Sequence, residues 1–145
     1  MIARCIANKG ADLPSPSRDA LYGEETEYAL ETGNDYIVLG IGLFATVVVV
    51  LIWDETSLPS WLPIGLFDLS TQRLPAHWEF AVFDGQAASG GDSANRWLAR
   101  LGYPRLVHDD AHSDALIERD PAELQFCFRE LLARQENQPP IFEGD

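Results

Sequence analysis

The chain has 145 residues, 46% of them hydrophobic and 23% charged, a balance that suits one domain with a buried core. Twenty-three acids against ten bases give a formal charge of −13, and Lys9 is the only lysine. With no basic stripe to hold phosphates, the composition excludes nucleic-acid backbone recognition and favours encounter with basic protein partners.

Residues 2–7 alternate weakly and predict a first short strand with Ile2, Arg4 and Ile6 on one face. Residues 10–22 carry Pro14 and Pro16 among Ser and Asp, which predicts a loop. Acids then accumulate at Asp19, Glu24, Glu25, Glu27, Glu31 and Asp35. Residues 27–30 read as the start of a short strand, and 31–34 as a turn.

The stretch YIVLGIGLFATVVVVLIW, residues 36–53, passes without a charge. At about 1.5 Å per residue a helix of this length just crosses a hydrocarbon core of roughly 30 Å. Three features favour a hairpin instead. The run Val47 to Val50 is β-branched and suits a pleated surface. Gly40 and Gly42 fit a bend or bulge. Both flanks, Asn34-Asp35 and Asp54-Glu55, are acidic, with no Lys or Arg to orient a span. The expectation is two strands, 35–41 and 45–53, around a turn that carries no Asn-Gly or Asp-Gly signal.

Strands are further predicted over 61–69, with Pro63 at an edge or bulge, and over 78–83. Trp53, Trp61, Phe67, Trp78, Phe80 and Phe83 are assigned to the core, since aromatic residues dominate burial in small β proteins. Residues 85–92 read as a linker. After it, Trp97, Leu98 and Leu101 predict a short helix over 93–101 that stops at Gly102. A weak helical turn follows near 113–118. The final helix has Asp120 as cap, Pro121 at its first position and Glu123 in capping-box register. Its apolar stripe is Leu124, Cys127, Phe128, Leu131 and Leu132, with a Glu130–Arg134 pair on its surface. The chain is thus expected to be one domain: 1–84 mainly β, 93–137 helical, and 138–145 a flexible tail.

Chemistry-bearing patterns are few. His108 and His112, at i, i+4 spacing beside Asp109, Asp110 and Asp114, are weak metal candidates if they share a helix. No nucleophile elbow, phosphate loop or acid–base constellation is present, so neither catalysis nor a cofactor is expected. Cys5 and Cys127 lack framework spacing and fit free thiols in a reducing cytosol. The segment MIARCIANKG lacks signal-peptide features, which points to a cytoplasmic protein.

The stretches TEYALETGNDYIVLGIGLF, LPSWLPIGLFDL and RLPAHWEFAVFD resemble a family of small acidic bacterial proteins grouped with immunity proteins of polymorphic toxin systems. ETGNDYIVLGI is also similar to the opening of SH3-like barrels. The resemblance covers about residues 26–84 and, more loosely, the final helix. It implies an α+β fold, with a small antiparallel, partly open SH3-like β barrel or sheet followed by two or three C-terminal helices. It also implies neutralisation of a cognate, basic toxin domain by direct binding. It carries over no functional residue, because its motifs define core positions. From charge and exposure the candidate contacts are Tyr22, Glu24, Glu25, Glu27, Tyr28, Phe44, Asp54, Glu55, Asp109, Asp110 and Asp114. Two alternatives remain: a structural or regulatory subunit that docks through an apolar hairpin tip at Phe44, and a single-pass membrane protein spanning 36–53.

Overall fold

The computed structural model describes residues 1–13, 25–45, 47–69, 72–83 and 97–137. The uncharged block forms a hairpin of β2 (Asp35–Phe44) and β3 (Val47–Trp53). Among the described residues no helix is long and apolar enough to cross a membrane. Around the hairpin lie β1 (Ile2–Cys5), β4 (Pro59–Pro63), β5 (Phe67–Asp68), β6 (Glu79–Val82) and β7 (Trp97–Gly102), all paired antiparallel. The strand order is β4-β3-β2-β1-β5, and β7 also pairs with β2 and with β6. Strand β2 therefore has β3 along one side and two partners along the other. Its first residues pair with β1 and Gly40 to Phe44 pair with β7. Helices α1 (Pro104–His108), α2 (Asp110–Glu118) and α3 (Pro121–Asn137) follow the sheet.

The hairpin is apolar throughout because it serves two cores, one on each face. Val50 and Ile52 belong to a core with Ala3, Cys5, Leu30, Tyr36, Val38, Leu66 and Phe67. Leu51 belongs to a second core with Leu39, Tyr103, Leu106, Leu116, Cys127 and Leu131, under the helices. A strand buried on both faces shows no hydrophobic alternation, so its hydropathy imitates that of a membrane span. The register steps from Val38↔Ile52 to Gly40↔Leu51, which leaves Leu39 as a bulge. The bulge reverses the parity of β2. Tyr36 and Val38 face the first core before it, and Ile41 packs against that same core after it. Gly40 and Gly42 then fall on the helix side. A Cβ on Gly40 would lie 2.4 Å from Leu106 Cδ2, and one on Gly42 would lie 2.4 Å from the Trp97 ring.

Several expectations are corrected. Residues 97–102 form a strand between β2 and β6, where a helix was expected over 93–101; residues 93–96 lie outside the described ones. The register steps between Leu43↔Ala99 and Phe44↔Trp97, so Leu98 is an extra residue and Trp97 and Arg100 share a face. That bulge puts residues three apart on one face, as a helix would, and pairing on both edges overrides the helix propensity of Leu, Ala and Arg. Strand β1 ends at Cys5, short of the expected residue 7, and it buries Ala3 and Cys5 on the face opposite Ile2 and Arg4. Only an isolated bridge, Lys9 to Glu27, stands where a strand was expected over 27–30. The strand expected over 61–69 is broken by a 3-10 turn at Ile64–Leu66. Phe80, assigned to the core, is 59% exposed on β6.

Helix α1 was not anticipated, and α2 is a full nine-residue helix starting at Asp110. Helix α3 starts where expected: Asp120 Oδ2 accepts from the Glu123 amide at 3.2 Å. Its stripe is rotated, however. Cys127 and Leu131 are buried, while Phe128 and Leu132 are 42% and 41% exposed. Phe126, off the expected stripe, packs against the second core. Arg134 reaches His77 Nδ1 at 3.2 Å instead of pairing with Glu130.

Candidate functional site

The structure separates the acidic candidates into two groups. One group is engaged in contacts within the fold, although Glu55 and Asp110 stay exposed. Asp54 organises its own turn, accepting from the Thr56 amide at 2.8 Å and the Ser60 hydroxyl at 2.7 Å. Glu55 accepts from the Tyr36 hydroxyl at 2.8 Å. Burial with that carboxylate contact pushes the Tyr36 phenol up to about 12. Asp109 caps α2 through the His112 amide at 3.1 Å, and its carboxyl is held below the ordinary value chiefly by that bond. Asp110 pairs with Arg100 at 2.5 Å. The other group faces outward: Glu25, Glu27 and Asp114 are exposed. Tyr28 is half-buried against the first core. Tyr22 and Glu24 lie outside the described residues.

His108 and His112 do not meet. The chain breaks at Asp109, and the two residues fall in different helices. His108 Nε2 contacts Glu79 Oε1 at 2.6 Å on the surface, whereas His112 is 1% exposed inside the second core. The Tyr103 hydroxyl donates to His112 Nε2 at 2.8 Å, and His112 Nδ1–H donates to Glu123 Oε1 at 2.9 Å. Arg105 holds the same carboxylate oxygen at 2.6 Å and lies over the Phe126 ring at 4.5 Å. This relay of tyrosine, histidine, glutamate and arginine has the residue types of an acid–base site. Yet Tyr103 and His112 are each 1% exposed, so no substrate reaches them. Burial lowers the His112 pKa against the opposing pull of Glu123, and the ring is neutral at pH 7. Burial also pushes the Cys127 thiol up to about 11, far from a reactive thiolate. The relay ties α2 and α3 to the sheet.

Concavity occurs at the other end of the helical face. Where β2, β3, β4 and β7 meet α2, a cavity of about 370 Å3 is lined by Phe44, Trp61, Trp97, Ile117 and Arg119 among others. Trp97 stands at its centre, with ring centroids 4.7 Å from Trp61 and 5.0 Å from Phe44. Gly42 makes this possible, because the Trp97 ring lies where a Cβ would be. At the mouth, Ile117 is 60% exposed. Arg119 ends α2 in the left-handed region (φ 64°, ψ 39°), where the Asp120 amide bonds the Ala115 carbonyl at 2.9 Å.

Of the described candidates, only Phe44 lines this cavity, and it does so half-buried. The tip beside it is no exposed knob, since Ala45 is 6% exposed. Trp97, Ile117 and Arg119 were missed. Trp97 sits on a strand read as a helix, and Arg119 is a lone cation in an acidic segment. The one available signal was the spacing of Gly42, whose missing side chain implied a large neighbour. Comparison with protein-family models, curated proteins and solved structures gives no match.

Proposed function

We propose that this protein is a non-catalytic, acidic binding protein of the immunity type, which neutralises a cognate basic toxin domain by direct contact in the cytosol. Supporting the reading is the way the charge is distributed. Three of the bases are engaged within the fold: Arg100 is 2% exposed, Arg105 is held by Glu123, and Arg4 is held by Asp35 at 2.9 Å. Carboxylates such as Glu25, Glu27 and Asp114 face solvent. A molecule of charge −13 built this way projects a negative field that accelerates docking of a basic partner. The finer fold assignment belongs to the same proposal. Strands β1 to β5 form an SH3-like unit, supported by the β2-β3-β4 meander, by β1 pairing with both β2 and β5, and by the 3-10 turn leading into β5.

Co-expression with the product of the adjacent gene tests this function. A stable complex and protection of the host cell are expected; neither complex nor protection would overturn it. A second reading, a structural subunit, draws on one observation. Strand β6 exposes Phe80 at 59% and Val82 at 68%, so docking would use that strand in place of the hairpin tip. Val82→Glu would then abolish capture by a larger assembly and leave toxin protection intact.

A further inference from the structure

We propose that the cavity between Phe44, Trp61, Trp97 and Ile117 binds a small monoanionic ligand with an aromatic or branched apolar body, whose carboxylate pairs with Arg119. This is a second activity, separate from the acidic surface assigned to a protein partner. Three observations carry it.

The first is size and shape. A volume of about 370 Å3 falls at the lower end of small-molecule sites, which run from roughly 300 to 1,000 Å3. Ring contacts of Trp97 with Trp61 at 4.7 Å and with Phe44 at 5.0 Å brace the three side chains, so the wall exists before any ligand arrives. A preformed aromatic wall lowers the ordering cost of binding.

The second is the charge of the lining. In a chain with 23 acids and ten bases, no carboxylate lines the cavity among the described residues. Its polar members are Ser60 and Arg119. The Ser60 hydroxyl already donates to Asp54 at 2.7 Å. Arg119 makes no ion pair among the described residues, unlike Arg4, Arg100 and Arg105. Neighbouring Asp120 is turned onto the amide of Glu123, and Glu118 is exposed without lining the cavity. More distant carboxylates are damped at physiological salt, where the screening length is about 8 Å. A cation would find no carboxylate in this wall, and a neutral ligand would leave the guanidinium unused. An anion meets a fork of N–H donors suited to a carboxylate.

The third is the backbone under Arg119. Its left-handed conformation is one that glycine or asparagine ordinarily supplies at a helix end, and a long side chain there is disfavoured. The turn places the guanidinium stem at the cavity mouth, beside exposed Ile117.

The test uses the full chain and three probes that share one body and differ in charge: 3-phenylpropionate, 3-phenylpropan-1-ol and 3-phenylpropylamine. Amide and indole N–H shifts are followed by heteronuclear NMR. Saturable shifts of the Trp61 and Trp97 indoles are expected, with the carboxylate tightest. Arg119→Gln is expected to weaken the carboxylate about tenfold and leave the alcohol unchanged. Absence of saturation for all three probes overturns the proposal, and so do shifts confined to residues away from the cavity. Tightest binding of the amine, or equal binding of acid and alcohol with no effect of Arg119→Gln, overturns it as well.

Discussion

The side chain that ties the helical layer together is His112. Its two ring nitrogens join Tyr103 to Glu123, and Glu123 in turn holds Arg105. Removing the ring leaves a buried hydroxyl and a carboxylate without their partner. His112→Ala is therefore expected to lower the unfolding free energy by about 2–4 kcal/mol at pH 7, measured by urea denaturation. The sign of the pH effect follows from burial. His112 has a lowered pKa in the fold, so on acidification the unfolded chain takes up the proton first. Stability is then lost as pH falls below the ordinary value of 6.5 towards the lowered folded value. His77, lowered by burial and by Arg134, acts in the same direction. Between pH 7.5 and 5.5 the wild-type protein is expected to lose more stability than His112→Ala, which keeps the parts of His77 and of the N-terminal amine but not that of the relay. Equal losses would show that the relay is not the titrating element.

At the level of elements, the glycines of β2 decide how closely the layers approach. A methyl group on Gly40 would meet Leu106, and one on Gly42 would meet Trp97, both at 2.4 Å. Gly40→Ala is expected to cost about 1–3 kcal/mol in thermal or urea unfolding. Combined with Leu106→Ala, which clears the obstructing methyl, it should cost less than the sum of the two single changes; simple additivity would deny the contact. The hairpin turn makes the opposite prediction. Phe44 pairs with Val47, and Ala45, in the turn after Phe44, holds a φ of 54° that favours glycine. Ala45→Gly is expected to raise stability by up to about 1 kcal/mol.

The same elements show how far the sequence could be read. The hairpin, the cap of α3 and the order of a sheet followed by helices were legible, because each rests on local chemistry: β-branched runs, Asp120-Pro121, and periodicity. Strand β7 was not. Its bulge at Leu98 puts Trp97 and Arg100, three residues apart, on one face as a helix would, and only its pairing with β2 and β6 makes it a strand. The internal contacts of the acidic candidates were hidden for a related reason. Asp54, Asp109 and Asp110 lie in clusters that resemble a solvated surface, yet each caps a turn, caps a helix or holds an arginine. The cavity was invisible because its walls come from four strands and one helix, brought together only by the sheet register.

Across the whole molecule, Arg4, Arg100 and Arg105 are paired with carboxylates, while other acids, among them Glu25, Glu27 and Asp114, face solvent. Arg100 lies between the Phe83 and Trp97 rings, bonded to Asp110 and to the Val107 carbonyl at 3.2 Å. Exposed acids are left to set the field that a partner feels. Such a field acts on encounter more than on residence, and it is screened by salt. The most direct test of the account is the association rate with the protein encoded by the adjacent gene, measured by stopped-flow at rising ionic strength. The account predicts a complex whose association rate falls about tenfold or more from low salt to physiological salt and beyond, with a much smaller change in dissociation. No complex, or an association rate indifferent to salt, would contradict it.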